Sequence, residues 1–241
     1  FRGNSYETLE AYARKVETRV DKKTRVETRT IISSPDELAA ATLKGFTVTE
    51  DMLGNYSQTT YGRTAPSRSS EETPDGLYHL HFVPKKLTRE VSAVLHIEGL
   101  NNIRSATCRL GGVAESIFLA TGKTSANTVT QEFTPSNPEF SPGSPFNGTL
   151  SCEFEIFGLN VIDNNNLHLD ALLVDGKTEF EGDCTNVKIT ENDDGTGSVT
   201  LILEASTEKV PDVKPEGGAG SGFDVDVDGW GNEINTDIPI N

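Results

Sequence analysis

The sequence predicts a mostly β protein made of antiparallel sandwiches, and three observations support this. First, apolar and polar residues alternate in segments such as 149–157, and they alternate strictly in 223–228. Second, hairpin-type turn residues recur at short intervals, at 163–166, 175–176 and 193–195. Third, the segments between these turns are short and rich in β-branched and aromatic residues, as sandwich strands are.

Composition limits the size of the protein and its classes of partner. A chain of 241 residues fits one large β domain or two of ordinary size. Its net charge of −16 disfavours binding to nucleic acid or to anionic membrane surfaces. The charge is uneven, because residues 1–48 hold 9 Lys/Arg and 7 Asp/Glu (+2), whereas residues 191–241 hold 2 and 12 (−10). Such asymmetry orients one end of a molecule toward a partner or is simply solvated surface.

The N-terminal third carries the helical signals. Apolar residues at spacings of three and four predict a helix within 4–20. Ser34-Pro35-Asp36-Glu37 has the cap, proline and acids of a helix start, which predicts one or two turns over 38–43. A strand at 46–49 and a long loop at 54–76 follow.

The remainder of the chain predicts strands and turns. A first domain is expected over 1–86, as a partial β-sandwich that carries short helices, and a second β-sandwich over 87–241. Residues 134–148 hold four prolines and predict a loop, and Gly111-Gly112 predicts a turn. The predicted strands are 77–83, 91–97, 105–110, 117–120, 128–133, 149–157, 167–174, 178–184 and 198–204.

The C-terminal segment combines a glycine-rich hinge, 217–222, with an alternating strand, 223–228. The strand would place three apolar residues on one face and Asp224, Asp226 and Asp228 on the other. These aspartates match the first half of a calcium loop and form a weak calcium candidate. Because Asn235 stands where such a loop requires a bidentate Glu, an exposed acidic strand face is the preferred interpretation.

Other groups that could carry chemistry have simpler interpretations. His79 and His81 would share one face of the strand 77–83, but no third metal ligand is evident nearby, so ordinary histidines are preferred. Three cysteines, Cys108, Cys152 and Cys184, fit neither a zinc site nor a disulfide framework. Buried thiols are the preferred interpretation, and one disulfide with one free thiol is the alternative.

Several motifs beyond residue 77 resemble one known family. Residues 80–119 read LHFVPKKLTREVSAVLHIEGLNNIRSATCRLGGVAESIFL and contain the turns Ile97-Glu98-Gly99-Leu100 and Leu110–Ser116. The element Phe157-Gly158 and the closing block from Gly222 through Trp230 to Ile240 follow. These features resemble the fimbrillin-associated minor subunits and anchor lipoproteins of Bacteroidales, and the similarity spans nearly the whole chain.

The resemblance implies two transthyretin-like β-sandwiches in tandem, the first incomplete at its N-terminal side. It implies export to the extracellular face of the outer membrane, with a lipid on a cysteine upstream of Phe1. It also implies a role in a fimbrium, as an anchor or minor pilin acting in assembly and adhesion. The expected partners are other fimbrial subunits, with host or bacterial surface ligands as further candidates.

The function expected from this sequence is non-enzymatic. One subunit would donate an extended segment to a sheet edge of the next, with the tail 223–241 as candidate donor and the incomplete first domain as candidate acceptor. The alternative is a carbohydrate- or matrix-binding surface lipoprotein module that uses Tyr56, Tyr61 or Trp230. An enzyme is the least favoured class, because no nucleophile motif is present and no catalytic residue or cofactor is expected.

Overall fold

The computed structural model describes residues 1–20, 27–43, 45–48, 71–72, 78–160, 165–193, 195 and 199–216. Within these residues the secondary structure is strand, apart from two short 3₁₀ helices at Tyr6–Thr8 and Leu100–Asn102. This confirms the predicted mostly β fold. No helix among the described residues has the length and apolar character needed to span a membrane.

The strands are numbered in chain order over the described residues. They are β1 (Glu10–Tyr12), β2 (Val16–Val20), β3 (Glu27–Ile31), β4 (Ala39–Ala40), β5 (Glu71–Glu72), β6 (Tyr78–His79), β7 (Lys85–Lys86), β8 (Arg89–Ile97), β9 (Ile103–Ala114), β10 (Ser116–Phe118), β11 (Thr128–Phe133), β12 (Asn137–Phe140), β13 (Gly148–Ile156), β14 (Leu167–Leu173), β15 (Glu179–Asp183), β16 (Thr185–Asp193) and β17 (Val199–Ser206).

Two large sheets form the body of the protein. The six-stranded sheet has the order β15-β14-β9-β11-β3-β2, and the five-stranded sheet has the order β12-β13-β8-β17-β16. Neighbouring strands are antiparallel, except for the parallel pairs β3–β11 and β8–β17. Short two-stranded ladders join β1 to β10, β4 to β7 and β5 to β6.

The hydrophobic core lies between the two large sheets, so the fold is sandwich-like. Strand β14 shows the pattern clearly, because Leu167, Leu169, Ala171 and Leu173 are buried while the residues between them are half-exposed. This is the alternation expected of a strand with one face against the core. The opposite sheet contributes buried side chains from β8, β13 and β17 in the same way.

The N-terminal strands join the sheet built by later residues. Thr30 and Ile31 of β3 pair with Thr130 and Gln131 of β11, and Ile31 is fully buried. Strand β1 pairs with β10. Strands from both sides of the predicted boundary at residue 86 thus share one sheet, and the division into two domains stays a prediction.

Both predicted helices were wrong. Residues 4–20 form a single 3₁₀ turn and then strands β1 and β2, because β10 and β3 lie beside them and supply ladder hydrogen bonds. Residues 38–43 contain β4, which pairs with β7 instead of forming helical turns. The strand predicted at 46–49 is absent from residues 46–48, which lie in irregular backbone. For both predicted helices, pairing with another strand decided the local conformation.

Four boundaries also differ from the predictions. Strand β9 runs through Gly111-Gly112 instead of turning there. Leu110 pairs with Gln131 of β11 and Val113 pairs with Val129, so β9 has one residue more than β11 between these two pairs, and the glycines form a β-bulge. The proline-rich loop contains β12. Strand β6 ends at His79, short of the predicted 77–83. The segment after β15 forms β16, which was not predicted.

Most of the predicted strands in the second half are confirmed. Strands β8, β10, β11, β13, β14 and β17 lie where the alternation or the apolar runs placed them. The turn at Asp175-Gly176 is also confirmed, because the Asp175 carboxylate accepts hydrogen bonds from the backbone of Lys177 and Thr178. Gly176 has a φ of 67°, which glycine adopts without a Cβ clash. Within the predicted turn 163–166, residues 163–164 lie outside the described residues.

Candidate strand-pairing interface

Among the residues that the structure describes, each large sheet has two edge strands, β15 and β2 in one sheet and β12 and β16 in the other. Edge strands carry backbone N–H and C=O groups that can pair with another chain. Strand β16 is the longest of the four, at nine residues. Strand β12 has four residues, and its Pro138 cannot donate a backbone hydrogen bond. Strand β16 is therefore the edge best suited to accept a further strand.

The two faces of β16 differ. Val187 and Ile189 are half-buried and pack against the core, whereas Lys188 and Thr190, which alternate with them, are exposed. The pairing of β16 with β17 shifts register between Thr185 and Lys188, so the start of β16 is irregular. Irregularities of this kind protect a sheet edge from unwanted pairing. The regular part of the edge thus runs from Lys188 to Asp193.

A groove of about 590 Å³ lies under this part of β16. It opens at the end of the sandwich where β8 and β17 begin and β13 ends. Its apolar lining comes from β16 and β17 of the five-stranded sheet, from the segment between β7 and β8, and from the segment after β13: Leu87, Phe157, Leu159, Ile189, Val199 and Leu201. An apolar groove beside an open sheet edge is the arrangement that accepts an extended peptide in β-strand addition.

Three basic residues line the same groove. Lys86 Nζ lies 2.7 Å from Glu155 Oε1, and this hydrogen bond, followed by one to Glu37, raises the pKa of Lys86 against the opposing effect of its partial burial. Arg89 Nη1 lies 2.6 Å from Glu191 Oε1. Lys123 is exposed and forms no ion pair with any residue that the structure describes. The rim therefore offers at least one cation to an acidic strand.

A second concavity, here called the outer-face crevice, lies on the other sheet. It has a volume of about 420 Å³ and lies between Arg19 and Val20 of β2 and the outward side chains of β9, β14 and β15. Arg109 Nη2 and Asp170 Oδ2 are 2.7 Å apart within it. Arg19 Nη2 lies 3.2 Å from Glu132 Oε2 at its margin. Charged groups in this crevice thus occur as pairs.

His168 belongs to the same charged row. Its Nδ1 lies 2.8 Å from Asp183 Oδ1, and its Nε2 lies 3.3 Å from Asp170 Oδ1. The hydrogen bond with Asp170, followed by that with Asp183, raises the pKa of His168, while burial and the nearby Arg109 act in the opposite direction. The imidazolium form is therefore favoured beside these two carboxylates.

Only some of the site residues predicted from the sequence are among the residues that the structure describes. The calcium candidates Asp224, Asp226 and Asp228 lie outside the described residues, as do the aromatic candidates Tyr56, Tyr61 and Trp230. His81 lies beyond the end of β6 and is exposed, so the expected strand does not extend over both histidines. Among the described residues no group of three or more His, Cys, Asp or Glu side chains is placed to hold a metal ion.

The three cysteines are free thiols; Cys108 is buried, as the preferred interpretation expected, whereas Cys152 and Cys184 are half-buried. Burial raises the pKa of Cys108 well above its usual range and raises the pKa of Cys152 and of Cys184 to about 11. Cys108 lies on β9 and Cys184 follows β15, with β14 between them, so their backbones are about 9–10 Å or more apart. That separation exceeds the roughly 7 Å limit for a disulfide.

Sequence reasoning missed the main residues of both concavities. Lys123 lies in a loop whose sequence carries no functional motif. Arg109 and Asp170 are 61 positions apart in the chain, so their contact cannot be read from the sequence. The available signal was the polar half of the alternation in β9 and β14, which marks an outward face. Register between these strands, which places Asp170 opposite Thr107, was needed to bring the charges together.

The fold defines a β-sandwich protein with an open, groove-backed edge strand. The chain belongs to the family described as a domain of unknown function, DUF5119, which matches residues 1–134. No curated protein matches the chain. Among solved structures, a crystal structure of a "putative adhesin" from Bacteroides ovatus is similar, with a TM-score of 0.37 and 10% sequence identity. The similarity covers 72% of this chain and 62% of that chain.

Proposed function

We propose that this protein is a non-enzymatic cell-surface subunit of a fimbrium, an anchor or minor pilin that acts in assembly and adhesion through β-strand pairing. The observation that carries the proposal is the long edge strand β16 above an apolar groove with a basic rim. Backbone pairing at the edge would supply affinity, and alternate side chains entering the groove would supply specificity.

The C-terminal tail has the composition that this acceptor requires. Its sequence alternates Phe223, Val225 and Val227 with aspartates. If these residues are extended, the apolar face would meet the lining of the groove and the acidic face would meet Lys123. The net charge of −10 over residues 191–241 would then be complementary to the basic rim of the groove.

The point where the chain leaves the sandwich also supports a contact between subunits. Val210 is fully buried and its N–H bonds to Glu98 O at 2.9 Å. Asn102 Nδ2 donates to Asp212 Oδ1 at 3.0 Å, and Glu216 N donates to Val174 O. The last described residues are thereby held beside the end of β8 and the start of β9.

The groove lies at the opposite end, where β8 begins. The nine residues of β8 span roughly 30 Å. The point where the C-terminal tail leaves the sandwich and the groove that would accept a tail therefore lie at opposite ends of the sandwich. A tail that pairs with a neighbour from this exit makes a head-to-tail contact, and such contacts build open filaments when the rotation does not close. This polarity supports a fimbrial role.

Location and partners form part of the same proposal. The protein would act on the extracellular face of the outer membrane or within the fimbrium, held by a lipid on a segment upstream of Phe1. Its partners would be other fimbrial subunits. The sequence motifs that resemble fimbrillin-associated proteins, such as Leu110–Ser116, support this assignment.

The proposal is tested by comparing the full chain with a variant that lacks residues 223–241. Analytical ultracentrifugation should detect concentration-dependent association of the full chain and a monomer for the deletion variant. A peptide covering 217–241 should bind the deletion variant, and Lys123→Glu should weaken that binding because it inverts the free cation of the rim.

Lys209→Glu is the matched control, since it makes the same charge change at the opposite end of the sandwich, next to the buried Val210. It should leave peptide binding unchanged. Association that persists without the tail, or equal losses for both lysine variants, would remove the tail-to-groove mechanism.

A further inference from the structure

Strand pairing at β16 leaves the outer-face crevice unused. The crevice lies on the other large sheet, so it neither depends on the proposed fimbrial role nor shares residues with the groove. Its floor is formed by outward side chains of β9 and β14, including Thr107, Arg109 and Asp170, and β2 and β15 form its sides.

Charges in the crevice are balanced locally. Arg109 pairs with Asp170, and Arg19 pairs with Glu132 at the margin. A free anion would meet Glu179 and Glu181 as well as these carboxylates, and a free cation would meet two guanidinium groups and the imidazole of His168. Neither sign of ligand charge is therefore favoured by the lining as a whole.

Paired charged groups still offer directed hydrogen bonds to a neutral ligand. A guanidinium carries five donors in a rigid fork, so the ion pair with Asp170 does not exhaust the donors of Arg109. Arg19 Nε is buried and has no hydrogen-bond partner among the described residues. Hydrogen bonds that involve an ionised partner are roughly twice as strong as neutral ones.

We propose that the outer-face crevice binds a short neutral saccharide. Sugar hydroxyl groups can both donate to carboxylates and accept from guanidinium groups, which matches a lining of alternating signs. Val20 and Leu172 provide apolar surface for the C–H faces of a sugar ring. The volume of about 420 Å³ falls in the range of small-ligand sites and suits one or two sugar residues.

Rigidity of the lining supports specific binding. Most of the side chains concerned rise from paired strands, with Ala106 to Leu110 of β9 aligned against Leu167 to Ala171 of β14. Groups held on paired strands keep their geometry when a ligand binds, so less conformational entropy is lost. The crevice is in this respect better suited to a small ligand than a loop surface.

The test uses the full chain and saturation-transfer NMR with lactose, maltose, cellobiose and chitobiose. At least one of these neutral disaccharides should bind, and the variant Ser105→Trp, which fills the crevice from an exposed position, should weaken that binding about tenfold or more. Ser151→Trp, on the outer face of the other sheet, is the matched control and should bind as the unmodified chain does. Thermal unfolding of each variant establishes that it is folded.

Two charged probes separate the alternatives. Citrate presents an anion without a sugar unit and trilysine presents cations, and neither should compete with the bound neutral disaccharide at equal concentration. Arg109→Lys should also weaken saccharide binding, because lysine keeps the charge and loses the planar fork. The proposal is overturned if no neutral disaccharide binds, if Ser105→Trp leaves binding intact, or if only a charged probe occupies the crevice.

Discussion

Phe133 of β11 and Phe154 of β13 stack across the interior of the sandwich, with ring centroids 4.3 Å apart and planes 14° apart. Each ring is largely buried, at 6% and 8% exposure. Facing sheets lie about 10 Å apart, so the two rings together span the gap between them. This pair therefore joins the six-stranded sheet, which includes the N-terminal strands, to the sheet that carries the edge strand β16.

Replacing Phe154 with alanine should remove this contact and leave a cavity in the core. We expect a loss of about 3–5 kcal/mol in the free energy of unfolding, measured by urea denaturation. Phe146→Ala is the control, since Phe146 is 60% exposed and its removal should change stability by less than about 0.5 kcal/mol. Similar losses for both variants would show that the stacked pair does not join the sheets.

Arg29→Ala should loosen the attachment of the N-terminal strands. Arg29 of β3 pairs with Glu115, whose carboxylate is almost fully buried and also accepts a hydrogen bond from Asn127. Removing one partner leaves a buried charge, which costs about 3–5 kcal/mol in fully buried pairs and less here because Arg29 is half-exposed. Amide hydrogen exchange should increase in β3 in particular.

Arg14→Ala provides the comparison. The Arg14–Asp36 pair is also a direct contact, with Arg14 Nη2 2.7 Å from Asp36 Oδ2, but both side chains are exposed. Its loss should cost less than about 1 kcal/mol, because exposed ion pairs are screened by water. Unchanged exchange in β3 of the Arg29 variant would mean that the pair does not hold the strand.

Gly148→Ala should be strongly destabilising for a steric reason. A Cβ at this position would lie 2.2 Å from Glu139 O and 2.8 Å from Leu100 Cδ2, so the backbone of β12 would have to shift. We expect a loss of about 1–3 kcal/mol. Gly182→Ala should be neutral or slightly stabilising, since its nearest contacts are ordinary ones at 3.5 Å. Calorimetric unfolding of the two variants distinguishes the cases.

The stability that His168 contributes should depend on pH. Its pKa is raised in the folded protein, first by the hydrogen bond with Asp170. A raised folded-state pKa gives a contribution that is complete below the unfolded value of about 6.5 and is lost as pH rises through the folded value. The difference in melting temperature between the unmodified chain and His168→Gln should therefore be largest near pH 5.5 and shrink toward pH 8.5. A difference that grows with pH would contradict this account.

The cysteines should react slowly with alkylating agents while the protein is folded. Because burial raises the pKa of Cys152 and Cys184 to about 11, little thiolate exists at neutral pH, and thiolate is the reactive form. Mass spectrometry after brief iodoacetamide treatment at pH 7.5 should show negligible labelling of the native chain and three modified residues after denaturation in urea. Rapid native labelling of Cys108 would contradict its burial.

Local sequence patterns placed most of the strands of the sandwich. Strands β11, β13 and β14 were predicted because their alternation depends only on one face being buried, a property that each segment carries by itself. The same reasoning failed at residues 4–20, where Ala11 and Ala13 are buried in strand or extended backbone although the apolar spacing predicted a helix. When the spacing of apolar residues in a short segment fits both a helix and a strand, the segment becomes a strand if a neighbouring strand is available to pair with it.

The sequence by itself determined the β class, the apolar and acidic faces of the strands, and the polarity of charge along the chain. Tertiary structure alone decided that β3 pairs with β11, that β16 is an edge strand among the described residues, and that Arg109 meets Asp170. The physical reason is that pairing between strands far apart in the chain depends on competing registers and on loop closure. Alternation within one segment cannot choose among those registers.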